Sequence, residues 1–268
     1  MNYSSIKSYA KINLALNVTG KTSGLHQIES IVGFISLHDI ILIKKIQSKK
    51  HIISFNGKYS KNIYKKNTIS ELLKILEKEK LLTGHRFEIK VKKHIPSKSG
   101  LGGGSMNAAN ILKYLIKKKF INPSKRQLIL ICKSIGSDVA LGLNSTFTVL
   151  KSNNHTKEFR NCKKFYALIV KPSFGCSTKE IYSGVKKFSK PKFNELSKKM
   201  INFDYLKKLD NSLEPISLSK FPKLKKIKYF LEKSSNNSFV RMTGSGSAIV
   251  AYFKSKKLCD YVKKKFSR

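Results

Sequence analysis

Apolar and polar side chains alternate from residue 9 to residue 18, as they do in a strand with one buried face. Lys11 and Asn13 then share the polar face, opposite Ile12 and Leu14. Similar alternating or short apolar runs predict further strands at residues 28–35, 39–45, 52–55, 87–91, 146–150, 165–170, 238–242 and 248–253.

Apolar residues at spacings of three and four predict helices in the remaining segments. The first two cover residues 67–80 and 105–119, and Ser124 is expected to cap a third over 125–133. Helical segments are predicted to dominate from residue 178 to residue 231, and a lysine-rich helix closes the chain. Hairpin-like strands and segregated helices indicate an α+β fold rather than a regular βαβ array.

Four of the five residues from Gly100 to Gly104 are glycines, and a predicted helix follows them directly. Without a Cβ, consecutive glycines let backbone N–H groups approach an anion, and the helix adds the positive end of its dipole. The pattern therefore predicts a phosphate-binding loop rather than a plain tight turn. No Gly-Lys-Ser/Thr follows, and the spacing is not that of a dinucleotide fingerprint, so the loop is neither of those motifs.

Asp138 lies among Gly136, Ser137 and Val139 in a chain with only 15 acidic residues. A carboxylate beside small and apolar residues can be partly desolvated, which suits a general base or a metal ligand. A helix-capping aspartate explains the same pattern equally well. Lys11 gains interest from its apolar-flanked setting, although a single lysine in so basic a chain is usually surface.

Gly244-Ser245-Gly246 is a second glycine-rich segment, and it lies between two predicted strands. A hairpin turn is the favoured interpretation, with closure over phosphates as the alternative. His26, taken alone, is typical of an ordinary surface histidine.

The formal net charge of +40 brings a nucleic-acid-binding function into consideration. Lysine is spread along the whole chain, however, and arginine, the residue preferred for bidentate contacts to phosphate and guanine, is scarce. A solvated lysine surface that follows a compositional drift is therefore favoured over a dedicated nucleic-acid face. Such a surface still attracts anionic substrates.

Length and cysteine usage set the broad class of the protein. A chain of 268 residues with 40% hydrophobic residues can form one large or two small domains with a real core. The four cysteines form no CxxC pair, which argues against a metal or disulfide role and fits a reducing cytoplasm. The N-terminus lacks the apolar run of a signal peptide, and no segment has the roughly 20 apolar residues of a membrane span. We therefore expect a cytoplasmic protein.

Taken together, these segments resemble the GHMP kinase superfamily over nearly the full length of the chain. The resemblance rests on Ala10-Lys11-Ile12-Asn13-Leu14, Gly24-Leu25-His26, Ile95-Pro96, Gly100-Leu101-Gly102-Gly103-Gly104-Ser105 with Asn107-Ala108-Ala109, Gly136-Ser137-Asp138-Val139, Pro172 with Ser177-Thr178, Asn211-Ser212-Leu213-Glu214, and Arg241-Met242-Thr243-Gly244-Ser245-Gly246.

The resemblance implies an α+β, two-domain GHMP kinase fold with the substrate between the domains. Residues 1–150 are expected to form the N-terminal ATP-binding domain, which is ribosomal protein S5 domain 2-like. Residues 151–268 are expected to form the C-terminal GHMP kinase domain. We expect a monomer or a weak homodimer, with no specific nucleic-acid partner and no membrane partner.

The resemblance further implies that ATP and Mg²⁺ serve phosphorylation of the 2-hydroxyl of a cytidine diphosphate-linked methylerythritol, in the non-mevalonate route to isoprenoids. Asp138 is then the base that takes the hydroxyl proton, and Lys11 steadies Asp138 and the developing charge. The implied substrate-binding residues are Asn13, His26, Thr178 and Tyr182. The implied phosphate-binding residues are Pro96, Ser99, Gly100, Leu101, Gly102, Gly103, Gly104 and Ser105.

The chain departs from the family pattern in three places, of which the mildest is Ser137 and Ala140 in place of the usual Ala and Pro around the aspartate. Leu25 stands where an aromatic residue usually stacks on cytosine, and stacking contributes about 1–3 kcal/mol per base. Met106 stands where a second serine usually follows Ser105, so Ser105 is left as the hydroxyl that can assist Mg²⁺ or phosphate. None of these changes removes Lys11 or Asp138.

Three other interpretations compete with this one. A GHMP kinase acting on homoserine, mevalonate or phosphomevalonate would share the glycine loop, whereas the Leu25-His26 element favours the cytidine substrate. A basic nucleic-acid-binding protein predicts tight, salt-sensitive binding to arbitrary DNA or RNA that does not depend on Asp138. An inactive protein with a kinase fold is disfavoured because Lys11, Asp138 and the loop are all present.

Overall fold

The computed structural model describes residues 2–22, 25–61, 63–153, 155–193, 196–234 and 238–266. The strands in these residues are β1 (Ser4–Thr22), β2 (Leu25–Ile46), β3 (Ile52–Asn56), β4 (Arg86–Lys92), β5 (Phe147–Leu150), β6 (Thr156–Phe159), β7 (Tyr166–Val170), β8 (Phe239–Met242) and β9 (Ile249–Phe253). The helices are α1 (Thr68–Lys78), α2 (Gly103–Lys117), α3 (Lys125–Ile135), α4 (Val139–Gly142), α5 (Thr178–Ser183), α6 (Phe203–Lys207), α7 (Glu214–Lys220), α8 (Pro222–Ser234) and α9 (Lys256–Phe266), with a 3₁₀ helix at Lys198–Ile201.

The chain divides into two compact units that interleave along the sequence. The first unit comprises Met1–Lys11, Ile35–Ser97 and Gly102–Ser145, and the second comprises Ile12–Phe34, Lys98–Leu101 and Thr146–Arg268. The long paired strands β1 and β2 each contribute to both units. The units therefore follow a different division from the predicted boundary at residue 150, which stays a prediction about the domains of the family.

In the first unit, strands and helices share one apolar core. The second half of β2 pairs antiparallel with β4, and β3 pairs parallel with β4. Full burial of a large apolar side chain contributes about 1.5–3 kcal/mol. The core includes Ile41, Ile43, Phe87, Ile89, Val91, Leu72, Leu76, Ile111 and Leu115.

In the second unit, the first half of β2 pairs antiparallel with β5, and β5 pairs antiparallel with β6. A separate three-stranded sheet has the order β7-β9-β8, with antiparallel neighbours. The polar composition of residues 151–164 is compatible with either a linker or an exposed hairpin. Because β6 lies within these residues and returns along β5, the hairpin is the form observed.

The predicted helix starts agree with the side chains that cap them. Asn67 accepts hydrogen bonds from the N–H groups of Ile69 and Ser70, and the Ser70 hydroxyl accepts one from the Asn67 N–H. Ser124 likewise accepts from the Gln127 N–H at the start of α3. Such side chains satisfy N–H groups that have no partner inside the helix.

Two strand predictions need correction. β1 was expected to have one buried face, but Lys11 and Asn13 on its polar face are 4% and 3% exposed. Other parts of the chain cover that face, so both faces are buried from residue 10 to residue 18. The strands predicted at 28–35 and 39–45 are one continuous strand, because residues 36–38 contain neither Gly nor Pro and stay extended.

The helix predicted to start at Ser105 begins two residues earlier, at Gly103. Glycine is a poor helix former, so the pattern of apolar residues placed the start too late. Gly102 adopts the left-handed conformation with φ of +68° and forms the N-cap. Gly103 and Gly104 are therefore the first turn of the helix rather than part of the loop before it.

The mixed strand and helix content confirms the predicted α+β class. All four cysteine thiols are free. Among the described residues, no helix is both long and apolar enough to cross a membrane.

Candidate active site

Lys11 and Asp138 form an ion pair within the first unit, with 3.1 Å between Lys11 Nζ and Asp138 Oδ2. Lys11 lies on β1, and Asp138 lies directly before α4. The lysine side chain is 5% exposed, whereas the aspartate side chain is 30% exposed. The buried ammonium can therefore hold a carboxylate that remains open to a further molecule.

The alternative role for Asp138, a helix cap, is not what the structure shows. Asp138 occupies the N-cap position of α4, but its side chain makes no capping hydrogen bond. Its carboxylate is paired with Lys11 instead. The short helix places the residue, and its carboxylate is held by Lys11 while remaining 30% exposed.

Gly102 brings the glycine loop against the Lys11 side chain. A Cβ built on Gly102 would lie 2.8 Å from Lys11 Cγ, too close for any other residue. Its φ of +68° also favours glycine. Gly102, the lysine and the aspartate thus lie together in one part of the first unit.

The N-terminus of α2 has the properties of an anion-binding site. Its N-cap makes no side-chain hydrogen bond, and its first turn carries no acidic residue. The first N–H groups of a helix have no carbonyl partner inside it, and α2 is 15 residues long. Gly103, Gly104 and Ser105 therefore present N–H groups where the dipole is positive.

The first turn of α2 is closely packed from both sides. A Cβ on Gly103 would lie 2.9 Å from Ile95 Cγ2, and the Thr68 hydroxyl donates a hydrogen bond to the Gly104 carbonyl over 2.8 Å. A Cβ on Gly136 would lie 3.8 Å from Ser105 Oγ, so Ser105 faces the segment that carries Asp138. Met106 is fully buried. It therefore occupies the core rather than the phosphate loop.

The start of the loop belongs to the second unit, where it is fastened to the turn between β8 and β9. Gly100 has φ of +75°, and a Cβ there would overlap the carbonyl oxygen of Thr243. The Thr243 hydroxyl donates to the Gly100 carbonyl over 3.1 Å, and the Ala248 N–H donates to the Ser99 carbonyl over 3.1 Å. Leu101 is fully buried. The second glycine segment joins paired strands, as the hairpin interpretation predicted.

Asn13 is held by buried polar partners within the second unit. Its backbone N–H donates to the Thr243 hydroxyl over 2.9 Å, and its side-chain amide donates to the Ser30 hydroxyl over 2.8 Å. Ser30 in turn donates to the Ala15 carbonyl over 2.7 Å. Because each hydroxyl has a defined partner, the Asn13 amide has a defined orientation.

His26, Tyr182 and Phe188 form a small aromatic cluster in the second unit. The His26 ring centroid is 5.0 Å from that of Tyr182 and 6.4 Å from that of Phe188. Thr178, one helical turn before Tyr182, exchanges a 3.0 Å hydrogen bond with the Ser245 hydroxyl. Burial, and then the charge of Lys21, lower the pKa of His26. The imidazole is therefore neutral at pH 7.

Gly24 and the side chain of Leu25 lie outside the described residues. Their predicted contribution beside His26 therefore stays a prediction.

Three residues of the site were not predicted from the sequence. Phe188 joins His26 and Tyr182, and it is 49% exposed. Lys93 and Asp39 form a buried ion pair beside α2. A signal for the pair was present, because Asp39 is in phase with the inward residues of β2 and Lys93 with those of β4.

No cluster of three or more His, Cys, Asp or Glu side chains that could hold a metal ion occurs among the described residues. Oxygen-bearing side chains beside the phosphate loop in the first unit include Ser105 and Asp138, with the Thr68 hydroxyl bonded to the Gly104 carbonyl. A metal held there would depend mainly on ligands supplied by a bound nucleotide.

Comparison with known proteins gives one family match to part of the chain and relatives that match nearly all of it. Residues 67–150 match the family described as GHMP kinases N terminal domain. A 4-diphosphocytidyl-2-C-methyl-D-erythritol kinase of Pelagibacter ubique is 56% identical over 268 residues, which cover 100% of this chain and 95% of the relative. A kinase with the same name from Clostridium beijerinckii is 33% identical, with 97% of this chain and 96% of the relative covered.

Solved structures show the same fold. A crystal structure of 4-(cytidine 5'-diphospho)-2C-methyl-D-erythritol kinase matches with a TM-score of 0.77 at 22% identity, covering 98% of this chain and 94% of that one. A homoserine kinase from Cytophaga hutchinsonii matches with a TM-score of 0.64 at 18% identity, covering 98% and 90%. At these identities the likeness concerns the fold alone.

Proposed function

Because this chain belongs to the GHMP kinases, and within them to the 4-diphosphocytidyl-2-C-methyl-D-erythritol kinases, we propose that it phosphorylates 4-diphosphocytidyl-2-C-methyl-D-erythritol with ATP. The γ-phosphoryl group goes to the 2-hydroxyl, and ADP and the 2-phosphate are the products. The identity of 56% over the full chain to a relative with this name supports the substrate, which the glycine loop alone does not specify.

Asp138 is assigned as the base that accepts the proton of the 2-hydroxyl. The carboxylate is partly open, and its 3.1 Å ion pair with Lys11 orients it. A tertiary hydroxyl is a weak nucleophile until its proton has an acceptor in reach, and such a base contributes about 10²–10⁴-fold to the rate. Lys11 is assigned the additional role of stabilising charge that develops on the transferred group.

The glycine loop is assigned to the phosphates of ATP. Phosphoryl transfer requires mainly positioning and charge stabilisation, which backbone N–H groups at a helix N-terminus can supply. The absence of an acidic residue from the first turn of α2 and its uncapped N-terminus support this assignment. The contacting residues are proposed to be Pro96, Ser99, Gly100, Leu101, Gly102, Gly103, Gly104 and Ser105.

The cytidine part of the substrate is assigned to Asn13, His26, Thr178 and Tyr182. The neutral imidazole of His26 can both donate and accept a hydrogen bond, which suits the polar edge of a base. The Tyr182 ring, 5.0 Å from it, offers a face for stacking. The Asn13 amide has a fixed orientation through its hydrogen bond to Ser30, which suits recognition of a defined polar group.

Mg²⁺ is proposed to arrive with the nucleotide. It binds phosphate oxygens and keeps several waters, so it needs only one or two ligands from the protein. The Ser105 hydroxyl and the Asp138 carboxylate have the hard oxygen atoms that this ion prefers. When bound, Mg²⁺ neutralises charge on the phosphates.

The observation that carries the catalytic assignment is the pair formed by buried Lys11 and partly exposed Asp138 beside the glycine loop. The test is ATP-dependent phosphorylation of the cytidylylated substrate with Mg²⁺, for the wild type and for Asp138→Asn. We expect kcat to fall by about 10²–10⁴-fold in the variant, because the amide cannot accept the proton. The nucleotide Kd measured without Mg²⁺ should change little, because the carboxylate is not assigned to bind the phosphates directly.

Asp260→Asn is the matched control, since Asp260 also pairs with a lysine but lies on the surface of α9. Its kcat should equal that of the wild type. If the wild type is inactive on this substrate but phosphorylates homoserine, mevalonate or phosphomevalonate, the proposed substrate is wrong. If the Asp138→Asn variant keeps full activity, the assignment of Asp138 as the base is wrong.

A further inference from the structure

Asp39 is fully buried, and its carboxylate ties together three segments of the first unit. Oδ1 accepts hydrogen bonds from the backbone N–H groups of His94 and Ile95, both over 2.8 Å. Oδ2 accepts from the side-chain amide of Asn107 over 2.9 Å and from the ammonium of Lys93. Strand β2, the residues that follow β4, and helix α2 therefore meet at one carboxylate.

Lys93 places a positive charge directly beneath the first turn of α2. Its side chain is 5% exposed, and a Cβ built on Gly103 would lie only 3.3 Å from its Nζ. Among the described residues, the buried lysines are Lys93 and Lys11. Lys11 lies against Gly102 and Lys93 against Gly103, and of the two only Lys11 pairs with the proposed base.

Stability alone gives little reason for such a pair. Removing two charges from water is unfavourable, and apolar side chains of similar volume often stabilise a core as well or better. A cation at a helix N-terminus is also unfavourable unless an anion lies near it. Asp39 supplies that anion inside the protein, and a bound phosphate would supply a second from outside.

We infer that Asp39, Lys93 and Asn107 form a positioning cluster for the phosphate loop. The cluster holds the first turn of α2 in the form that presents its N–H groups to phosphate, and Lys93 adds positive charge at its base. All three are positioning residues, because they lie behind the loop rather than against the reacting atoms. The inference rests on the proposed function, in which this loop binds ATP.

The double variant Lys93→Met/Asp39→Asn removes both charges and keeps the volume. The amide introduced by Asp39→Asn can donate to Asn107 once that side chain flips, so the variant leaves no unpaired buried charge. The probe is adenylyl imidodiphosphate with Mg²⁺, titrated by calorimetry, followed by steady-state kinetics. We expect the nucleotide Kd and the KM for ATP to rise about tenfold, with kcat and the KM of the acceptor within about threefold of wild type.

The matched control is Lys44→Met/Glu88→Gln. Lys44 and Glu88 are ion-paired over 2.9 Å and lie opposite each other on β2 and β4, the strand that carries Asp39 and the strand that leads into Lys93. This pair lies further along the two strands from the loop. We expect its removal to leave the nucleotide Kd unchanged.

Asn107→Ala is a second test that does not depend on how the double variant folds. It removes the hydrogen bond from α2 to Asp39, while alanine favours the helix. We expect the nucleotide Kd to rise about threefold, since the charges remain.

If the double variant and Asn107→Ala both bind the nucleotide as tightly as wild type, the cluster is structural and the inference is overturned. A lower melting temperature with an unchanged nucleotide Kd would overturn it equally. If the double variant does not fold, the Kd of Asn107→Ala decides. A wild type that binds no nucleotide overturns the proposed function and this inference together, so the wild type is titrated first.

Discussion

Gly100 and Gly84 have nearly the same backbone conformation, with φ of +75° and +78°, but opposite surroundings. A Cβ on Gly84 would meet nothing within 4 Å, whereas one on Gly100 would overlap the Thr243 carbonyl. Comparing an alanine substitution at each of the two glycines therefore separates the effect of backbone strain from the effect of a steric clash.

Gly100→Ala is expected to lower stability and phosphorylation activity far more than Gly84→Ala. Both variants accept the strain of a left-handed alanine, about 1–2 kcal/mol. Only Gly100→Ala must also displace the turn between β8 and β9, which holds the start of the phosphate loop. Thermal unfolding and kcat/KM for ATP measure the difference. Equal losses in both variants would contradict the steric explanation.

At the scale of single residues, the sequence identified Lys11 and Asp138 as candidates but left the role of Asp138 open between base and helix cap. The structure shows that this carboxylate makes no capping hydrogen bond and pairs with Lys11, while its role as a base stays a proposal. Lys11 is far from Asp138 in the sequence. The residues next to Asp138 in the chain therefore do not predict this ion pair.

At the scale of secondary-structure elements, some polar residues lie at strand positions that the alternating pattern predicts to face the core. Lys93 continues the inward set of Phe87, Ile89 and Val91, all of which are buried. Period-two alternation therefore indicates the direction of this side chain correctly, although a lysine at the end of a strand is usually found at the surface. Its carboxylate partner, Asp39, comes from a different strand and had to be seen in the fold.

His51 connects the strands to helix α1 in a way that depends on pH. Its Nδ1 accepts the Phe87 N–H over 3.0 Å, and its Nε2 lies 3.3 Å from Glu77 Oε1. Burial is the largest cause that lowers the pKa of His51, and the charge of Arg86 adds to it, against the opposing effect of Glu77. The folded state therefore resists protonation more than the unfolded state does.

Because the unfolded chain takes up the His51 proton near pH 6.5 and the folded chain takes it up only at lower pH, stability should fall as pH drops below about 6.5. His51→Asn keeps an acceptor for the Phe87 N–H and removes this titration. We expect its melting temperature to decline less than that of wild type between pH 7.5 and pH 5.5. The control is His155→Asn at an exposed position. If the melting temperature of His51→Asn declines as much as that of the wild type, His51 is not the cause of the pH dependence.

At the scale of the whole molecule, the dominant property is the net charge of +40. Nucleotide substrates are anions, so this charge raises their encounter rate when salt is low. The Debye length shortens from about 30 Å at 0.01 M to about 8 Å at 0.15 M salt. The charge should therefore affect association rather than the chemical step.

We expect kcat/KM for the cytidylylated substrate to fall as salt rises from 0.01 M to 0.15 M, while kcat stays constant. Steady-state kinetics in potassium chloride measure this, with sucrose at equal osmolality as the control. A constant kcat/KM would show that the lysines do not steer the substrate. Binding to arbitrary DNA, if it occurs, should be the same for the wild type and Asp138→Asn.

The sequence by itself determined those features that neighbouring residues control. These are the strand and helix periods, the caps at Asn67 and Ser124, the glycine loop before α2, and the family motifs around Lys11 and Asp138. Each depends on backbone preferences or spacings within a few residues, so it can be seen without knowing the fold.

Only the tertiary structure decided what covers each polar residue. It buried both faces of β1, continued β2 through residues 36–38, and started α2 at Gly103. It also paired Lys11 with Asp138 and Lys93 with Asp39. Burial and ion pairing depend on atoms contributed by distant parts of the chain, and a local pattern of residues does not predict which atoms those are.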